Sequence, residues 1–249
     1  MDRKRATLTG LAAILLWSTM VGLIRSVSEG LGPVGGAAMI YTVSGLLCLV
    51  TVGFPDLRRF STRYLLAGSI LFVSYEMCLA LSLGYAATRS QAIEVGMVNY
   101  LWPSLTIAFA ILFNGQKTTL WVIPGLLISL LGVCWVLGGE NGLQLNDIMQ
   151  NVVTSPLSYG LAFAGAFIWA AYCTVTSKYA KGQNGITLFV LLTALSLWVK
   201  YAVSDQPEMV FSVPVVVKLL MCGVALGFGY AAWNIGILHG NVTVLAAVS

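Results

Sequence analysis

Residues 64–87 read YLLAGSILFVSYEMCLALSLGYAA, an apolar run in which Glu76 is the only charged side chain. A helix of this length rises about 36 Å, enough to cross the roughly 30 Å hydrocarbon core of a bilayer. Eight further apolar runs follow the same pattern, and almost every charged residue lies in the short gaps between them. The pattern predicts an all-α protein that crosses a membrane many times.

The overall composition leads to the same class of protein. Hydrophobic residues make up 58% of the chain, charged residues 9%, and the mean hydropathy is +0.88. Soluble domains contain about 25% charged residues, so water is not the main solvent of this chain. The net charge of +4 comes from residues in the gaps between apolar runs, which argues against nucleic acid as a partner and for the lipid bilayer.

Apolar runs bounded by Pro, Gly and charged residues predict eight complete spans and the start of a ninth near residue 241. The eight lie at 7–26, 33–54, 64–87, 92–114, 119–138, 157–179, 185–203 and 214–237. The basic start, Met1–Arg5, could also open a secretory signal peptide. We favour a retained first span, because the apolar run continues to Ile24 without a small-residue cleavage site.

Basic residues predict the orientation, because cytoplasmic loops carry an excess of Lys and Arg. With the N-terminus inside, nine of them lie on the inner side and four on the outer side. The inner nine are Arg3, Lys4, Arg5, Arg58, Arg59, Arg63, Lys117, Lys178 and Lys181; the outer four are Arg25, Arg89, Lys200 and Lys218. We therefore expect a cytoplasmic N-terminus.

An internal repeat divides the chain. A shift of 152 residues aligns Trp17 with Trp169, and it also aligns the starts of the corresponding spans. Five spans in residues 1–140 precede a polar connection at 141–156, expected to be an extracytoplasmic loop, so the second unit at 157–249 enters the membrane with opposite polarity. Such inverted repeats are typical of secondary transporters. Because the second unit stops in its fourth span, we expect an intact protein of ten spans that continues beyond Ser249.

Two polar features interrupt the apolar runs at membrane depth. Glu76 lies near the middle of the third span, where a carboxyl group needs a cavity or a partner; it is a candidate for substrate contact, for proton transfer or for a structural hydrogen bond.

In the fourth span, Asn99, Tyr100 and Trp102 precede Pro103, which cannot donate to the carbonyl group of Asn99. We expect a kink there that serves as a hinge or a binding site, with helix packing as the alternative.

The remaining candidates are aromatic or amide side chains inside spans. Trp and Tyr usually collect at membrane interfaces, but Trp17 and Trp169 lie about ten residues into their spans. Such a pair suits a cavity that stacks planar or cationic ligands, with plain packing as the alternative. The predicted cavity residues are Trp17, Tyr75, Glu76, Asn99, Tyr100, Trp102, Trp169, Tyr172, Trp233 and Asn234.

The sequence offers no pattern for a metal, a cofactor or catalysis. The five cysteines lie in apolar runs without C-x-x-C or Cys/His spacing, so we expect small apolar fillers and no disulfide. The single histidine, His239, lies at the end of the eighth span without an apparent nucleophile partner. Neither G-x-S-x-G, H-E-x-x-H nor a phosphate-binding loop occurs. We expect neither an enzyme nor a bound cofactor.

The chain resembles a known family of transporters. Two inverted five-helix units, with Leu16-Trp17-Ser18-Thr19 in the first span and a proline in the fourth, are similar to EamA-type members of the drug/metabolite transporter superfamily. Residues 6–54, 84–103, 159–181 and 233–241 resemble the bacterial aromatic amino acid exporters within it. The resemblance implies an inner-membrane exporter of phenylalanine, tyrosine and tryptophan, with a cavity between the repeats. Some members also export other small organic compounds.

Three functions remain open at this level. The leading one is a secondary transporter that works by alternating access, with aromatic side chains stacking on the substrate and Glu76, Asn99 and Asn234 meeting its charged groups. The alternative is a proton-coupled multidrug exporter that uses Glu76. A passive channel is the third.

Overall fold

The computed structural model describes residues 2–115 and 145–249, together with the helical positions 124–125, 127–128, 131–132 and 135. The described ranges 2–115 and 145–249 fold into helices, with one short 3₁₀ turn at Leu57–Arg59 and no strand. The helices are α1 (Arg3–Trp17), α2 (Met20–Leu31), α3 (Pro33–Thr51), α4 (Thr62–Gly84), α5 (Arg89–Asn99), α6 (Trp102–Asn114), α7 (Leu145–Thr154), α8 (Pro156–Tyr179), α9 (Ile186–Val203), α10 (Val213–His239) and α11 (Val242–Val248).

In the part of the chain that the structure describes, six helical segments are long and apolar enough to cross a membrane, counting α5 and α6 as one segment. The pair α1 and α2, bent by 44° at a short break, is a seventh candidate among the described residues. This confirms the prediction of an all-α, multi-pass membrane protein. The predicted fifth span at 119–138 falls largely outside the described residues.

The first span is not the continuous helix expected over 7–26, because it breaks between Trp17 and Met20. At the break, the hydroxyl groups of Ser18 and Thr19 donate to the carbonyl oxygens of Leu15 and Leu16, at 2.8 and 3.0 Å. These bonds occupy acceptors that the interrupted helix leaves open. The break carries no proline, so the apolar pattern did not reveal it.

The predicted loop at 141–156 is wrong over most of its length, because α7 occupies Leu145–Thr154. Its sequence, LNDIMQNVVT, places Leu145, Ile148, Met149 and Val152 at helical spacing. Such spacing is typical of an amphipathic helix, and Val152 packs against the core. The polar residues in between concealed this amphipathic pattern.

Apolar side chains cover the outside of the described helices. Leu15, Val50, Ile70 and Leu112 are each more than 60% exposed. Buried positions, by contrast, include Ser44, Thr193, Glu76 and Asn234. An apolar exterior around polar interior groups suits a hydrocarbon solvent, since polar groups in lipid must find partners within the protein.

Three antiparallel helix pairs form the centre of the structure. In α1 and α10, Gly10 lies against Gly236 while Trp17 lies against Gly229, so the two helices run in opposite directions. The pair α4 and α8 and the pair α3 and α9 pack extensively as well. In the latter pair the indole N–H group of Trp198 donates to Thr42 Oγ1 at 2.9 Å. These pairs enclose the interior positions described below.

Gly10 and Gly236 allow the backbones of α1 and α10 to approach each other closely. A Cβ atom at Gly236 would lie 2.9 Å from the Cα atom of Gly10 and 2.7 Å from Leu245 Cδ1. Small residues at such crossings let helix backbones pack closely in membranes. A side chain at either position would push the two helices apart.

We expect Gly236→Ala to lower the free energy of unfolding in detergent by about 1–3 kcal/mol, because overpacking displaces backbone at this crossing. The matched control is Gly22→Ala on α2, where a Cβ atom meets nothing within 4 Å. That control should unfold at or slightly above the wild-type temperature, since Ala favours helix over Gly. Equal thermal unfolding temperatures for both variants would contradict the close packing.

Candidate functional site

Aromatic rings from five helices surround the indole of Trp169 on α8. The ring centroid of Tyr75 lies 4.4 Å away, and that of Tyr172 lies 5.0 Å away in a stacked arrangement. Trp17 meets Trp169 edge-on at 6.0 Å, so the two indoles that the 152-residue shift aligns are in contact. We define the aromatic cluster as Trp17, Phe72, Tyr75, Trp102, Trp169, Tyr172, Tyr230 and Trp233.

A narrow cleft with a free volume of about 60 Å³ opens beside the aromatic cluster. Its walls come from α1, α2, α4, α5, α6 and α10, with Ser249 at one edge. This volume is far below the range of about 300–1,000 Å³ that is typical of small-molecule sites, so a small organic ligand requires the cleft to widen. Most of its lining is apolar or aromatic, so it suits a ligand with a flat apolar body.

Five of the ten predicted cavity residues line this cleft: Trp17, Tyr75, Asn99, Tyr100 and Trp102. The other five lie behind it and are buried in the protein: Glu76, Trp169, Tyr172, Trp233 and Asn234. Trp169 contacts cleft residues from the second layer, where it supports Trp17 and Tyr75. The two groups therefore have different structural roles.

Two interrupted spans meet at the cleft. The break after Trp17 separates α1 from α2, and the break at Tyr100 and Leu101 separates α5 from α6. Pro103 lies in the first turn of α6, where its missing N–H group costs no helical hydrogen bond. Irregular backbone at membrane depth is tolerated where it faces a cavity. Both breaks place aromatic side chains on the same side of the molecule.

Two polar atoms beside the cleft are buried without a hydrogen-bond partner in the described structure: Trp17 Nε1 and Asn99 Oδ1. The amide nitrogen of Asn99 donates to the hydroxyl oxygen of Tyr75 at 3.3 Å, which orients the side chain. Buried polar groups in native proteins are normally paired. Trp17 Nε1 lies against Gly229 on α10 and Asn99 Oδ1 lies near Gly165 on α8, so neighbouring helices cover both unpaired atoms.

Glu76 lies away from the cleft, where it accepts a hydrogen bond from the hydroxyl group of Tyr41 on α3. Its side chain is fully buried, and Glu76 Oε1 has no partner within the described residues. The bond joins α3 to α4 inside the helix bundle. Glu76 remains a predicted site residue, but its position favours the structural alternative over direct substrate contact.

Asn234 belongs to a separate hydrogen-bond chain on α10. Its amide oxygen accepts from the Tyr172 hydroxyl group at 3.0 Å, and its amide nitrogen donates to Asn184 Oδ1 at 2.7 Å. Both ends of the amide are thus occupied. These two hydrogen bonds hold α8, α10 and the turn before α9 together, and they fix the orientation of Tyr172 within the aromatic cluster.

An ionic cluster holds the helix ends next to the cleft. Arg25 Nη1 donates to the carbonyl oxygens of Gly84 and Ala86, at 3.2 and 2.6 Å. Arg89 makes two bonds to the carboxylate of Glu29, at 3.1 and 2.7 Å. Together they tie α2 to the end of α4 and the start of α5. The neighbouring Ile24 and Leu83 line the cleft, so this cluster positions its wall.

Several lining residues were absent from the predicted set, notably Met20, Ile24, Leu79, Gly96 and Tyr230. Met20 and Ile24 lie one turn apart on the buried face of α2, together with Val27 and Leu31. This spacing is a recognisable signal for a buried face. It does not separate a cavity wall from ordinary packing, because both require apolar side chains.

Comparison with known proteins places the chain among transporters. A model of the EamA-like transporter family matches residues 4–138. Over all 249 residues the chain is 73% identical to the aromatic amino acid exporter YddG of Salmonella typhimurium (strain 14028s) and 72% identical to that of Escherichia coli (strain K12). It covers 85% of each of these relatives.

More distant proteins share the same arrangement. The aromatic amino acid exporter YddG of Ancylobacter novellus is 28% identical over 260 aligned residues. A solved structure described only as "Crystal structure of protein" matches 99% of this chain and 84% of its own, with a TM-score of 0.75 at 23% identity. This last similarity shows the fold alone.

We expect Glu76→Leu to lower the free energy of unfolding by about 1–3 kcal/mol, because the buried hydroxyl group of Tyr41 loses its acceptor. Glu76→Gln should unfold near the wild-type temperature, since its amide oxygen can still accept that bond. Adding Tyr41→Phe to Glu76→Leu should recover part of the loss, because both polar partners are then absent. Thermal unfolding in detergent is measured for the wild type, Glu76→Gln, Glu76→Leu, Tyr41→Phe and the double variant. Additive effects of Glu76→Leu and Tyr41→Phe would argue against the pair.

Proposed function

This chain belongs to the EamA-like transporter family, and from that premise we propose that it exports aromatic amino acids across the bacterial inner membrane by alternating access. The observation that carries the proposal is the cleft, whose walls combine Trp17, Tyr75, Tyr100, Trp102 and Tyr230. Few ligands other than flat apolar rings would match so many aromatic side chains in one place.

The chemistry of the cleft suits the substrate at both of its ends. Offset or edge-to-face contacts between rings contribute about 0.5–1.5 kcal/mol per pair beyond the burial of apolar area. Once the cleft widens, the unpaired oxygen of Asn99 and the unpaired indole N–H group of Trp17 would meet the ammonium and carboxylate groups of the amino acid. A ligand lacking either the ring or the charged groups would leave part of this surface unused.

The packing of the helices supports an inverted repeat. The repeat relates α1 and α2 to α8, α3 to α9, and α4 to α10. If each helix is replaced by its counterpart in the other unit, the packed pair α1 and α10 corresponds to the packed pair α8 and α4. The packed pair α3 and α9 corresponds to the same two helices in reverse order. Their antiparallel directions fit units of opposite polarity. We propose the units 1–140 and 157–249 on this basis.

The two broken spans supply a means of opening and closing the cleft. At the breaks after Trp17 and Asn99, the backbone lacks continuous helical hydrogen bonds, so the halves of each span can reorient with little loss of bonding. We propose Pro103 and the Ser18-Thr19 break as hinges. Rocking of one repeat against the other would then expose the cleft to each side in turn.

The distribution of basic residues supports a cytoplasmic N-terminus, with nine Lys and Arg on the inner side and four on the outer side. The ionic cluster of Arg25, Glu29 and Arg89 then lies at the periplasmic face. The start of α1 and the end of α10 lie at the cytoplasmic face.

A multidrug exporter that works through Glu76 is the weaker candidate. The carboxyl group of Glu76 lies outside the cleft and bonds with Tyr41, and the close relatives carry the name of aromatic amino acid exporters. The cleft residues offer stacking surfaces rather than a carboxylate for a cationic drug.

We expect Trp17→Ala to reduce tryptophan transport about tenfold, because the cleft loses a stacking wall. The matched control is Trp135→Ala, since the Trp135 side chain is 60% exposed and does not line the cleft. Transport in vesicles is compared at equal protein abundance in the membrane. Equal fluxes for the two variants would remove Trp17 from the site.

Counterflow in vesicles tests the class of substrate. Vesicles containing the protein and loaded with unlabelled tryptophan should accumulate labelled tryptophan in a saturable way. Labelled lysine and a labelled quaternary ammonium ion should not accumulate, because neither presents an aromatic ring to the cleft. Accumulation of the quaternary cation without tryptophan would favour multidrug export, and a flux that does not saturate would favour a channel.

A further inference from the structure

A second cavity of about 430 Å³ lies at the end of the molecule that holds the start of α1. It is enclosed by the N-terminus, α6, α8 and the turn between α10 and α11, and we call it the inner cavity. In contrast to the cleft, its lining is rich in hydroxyl and amide groups. Its principal polar residues are Arg3, Thr106, Asn114, Thr174, Ser177 and Asn241.

One face of α6 joins the inner cavity to the cleft. Trp102, Thr106, Ala110 and Asn114 follow one another at intervals of four residues, so they form one stripe along the helix. Trp102 lines the cleft, whereas the other three line the inner cavity. From Trp102 to Asn114 the helix rises about 18 Å. The two spaces therefore follow each other along the same side of the same span.

A pair of indoles separates the two spaces. The rings of Trp102 and Trp233 meet edge-to-face with centroids 5.3 Å apart. Trp233 is fully buried and lines neither space, while Ile237, one turn further along α10, lines the inner cavity. A solute that moved from one space to the other would have to displace this pair.

The polar groups of the inner cavity have a specific complement. The amide nitrogen of Asn114 donates to the carbonyl oxygen of Thr174 and to Ser177 Oγ, each at 3.3 Å. Asn114 Oδ1 is buried and has no partner within the described residues, so it is open to a donor from a ligand. Arg3 supplies a guanidinium group, the preferred partner of carboxylates. None of the described lining residues is acidic.

We propose that the inner cavity is a second substrate site, which binds the ammonium and carboxylate groups of an amino acid on the cytoplasmic side. Arg3 holds the carboxylate and Asn114 Oδ1 accepts from the ammonium group. The aromatic side chain then points toward Trp102 and Trp233, and displacement of these rings admits it to the cleft. This inference rests on the proposed export of aromatic amino acids and on the cytoplasmic N-terminus.

Transport measured from each face tests the role of Arg3. In inside-out vesicles, Arg3→Gln should raise the tryptophan concentration for half-maximal flux roughly tenfold, as expected for loss of a charge-assisted hydrogen bond. In right-side-out vesicles this tryptophan concentration should stay unchanged, because tryptophan then enters from the opposite face and not through the inner cavity. The matched control, Arg5→Gln, removes the same charge from a residue that does not line the cavity.

Chemical labelling tests the same site without removing any charge. Ser177→Cys introduces an accessible thiol into the inner cavity, and a water-soluble thiol reagent applied in inside-out vesicles should label it above the unsubstituted protein. Tryptophan should slow this labelling at least threefold. It should not protect Thr62→Cys, an exposed position at the start of α4 that lies outside the cavity.

The outcomes separate this inference from the proposed function. The inner site alone is overturned by a result in which the wild type transports tryptophan but two effects are absent. Arg3→Gln and Arg5→Gln then require the same tryptophan concentration for half-maximal flux, and tryptophan does not slow the labelling of Ser177→Cys. Absence of saturable tryptophan flux by the wild type overturns the proposed function and the inner site with it. The proposed function and the inner site are both supported if Arg3→Gln weakens transport only in inside-out vesicles and if tryptophan slows the labelling of Ser177→Cys.

Discussion

The packing of aromatic rings around Trp169 is the interaction on which the interior depends. Its indole contacts rings from α1, α4, α6 and α10, so one side chain of α8 holds both halves of the molecule in register. In hydrocarbon, apolar burial alone gives helices little reason to associate, because lipid tails are as apolar as the side chains. Close contact between rings and between small residues, as at Gly10 and Gly236, supplies the attraction instead.

The bilayer also constrains where the backbone can be irregular. Each peptide group at membrane depth needs a partner inside the protein, and a helix provides it without outside help. The two breaks in the spans occur beside one cleft, where an interior space can accommodate freed polar groups. Ser18 and Thr19 occupy two of the freed acceptors with their own hydroxyl groups. The positions of the breaks and the position of the cleft thus have a common cause.

Some features of the site follow from local chemistry and others do not. Pro103 cannot donate to the carbonyl oxygen of Asn99 whatever surrounds it, so an interruption in the fourth span could be predicted; Pro103 accordingly lies in the first turn of a new helix. The break after Trp17 depends on two hydroxyl groups that an unbroken helix tolerates equally well. The role of Glu76 stayed open at the level of the sequence. A buried carboxyl group can form its hydrogen bonds equally well with a ligand or with a neighbouring side chain such as Tyr41. Only the packing of α3 against α4 distinguishes these cases.

The sequence by itself determined that the chain is helical, apolar and multi-pass, because the length of an apolar run and the cost of burying charge depend on no particular neighbour. It also brought out the relation between Trp17 and Trp169 and the family that the chain resembles. Only the tertiary structure decided that Trp17 lines the cleft while Trp169 supports it from behind, and that Asn99 keeps an open acceptor while Asn234 is fully bonded. The physical reason is that residues of one chemical type have the same preference for the interior, and which of them borders an empty space depends on how helices distant in sequence pack together.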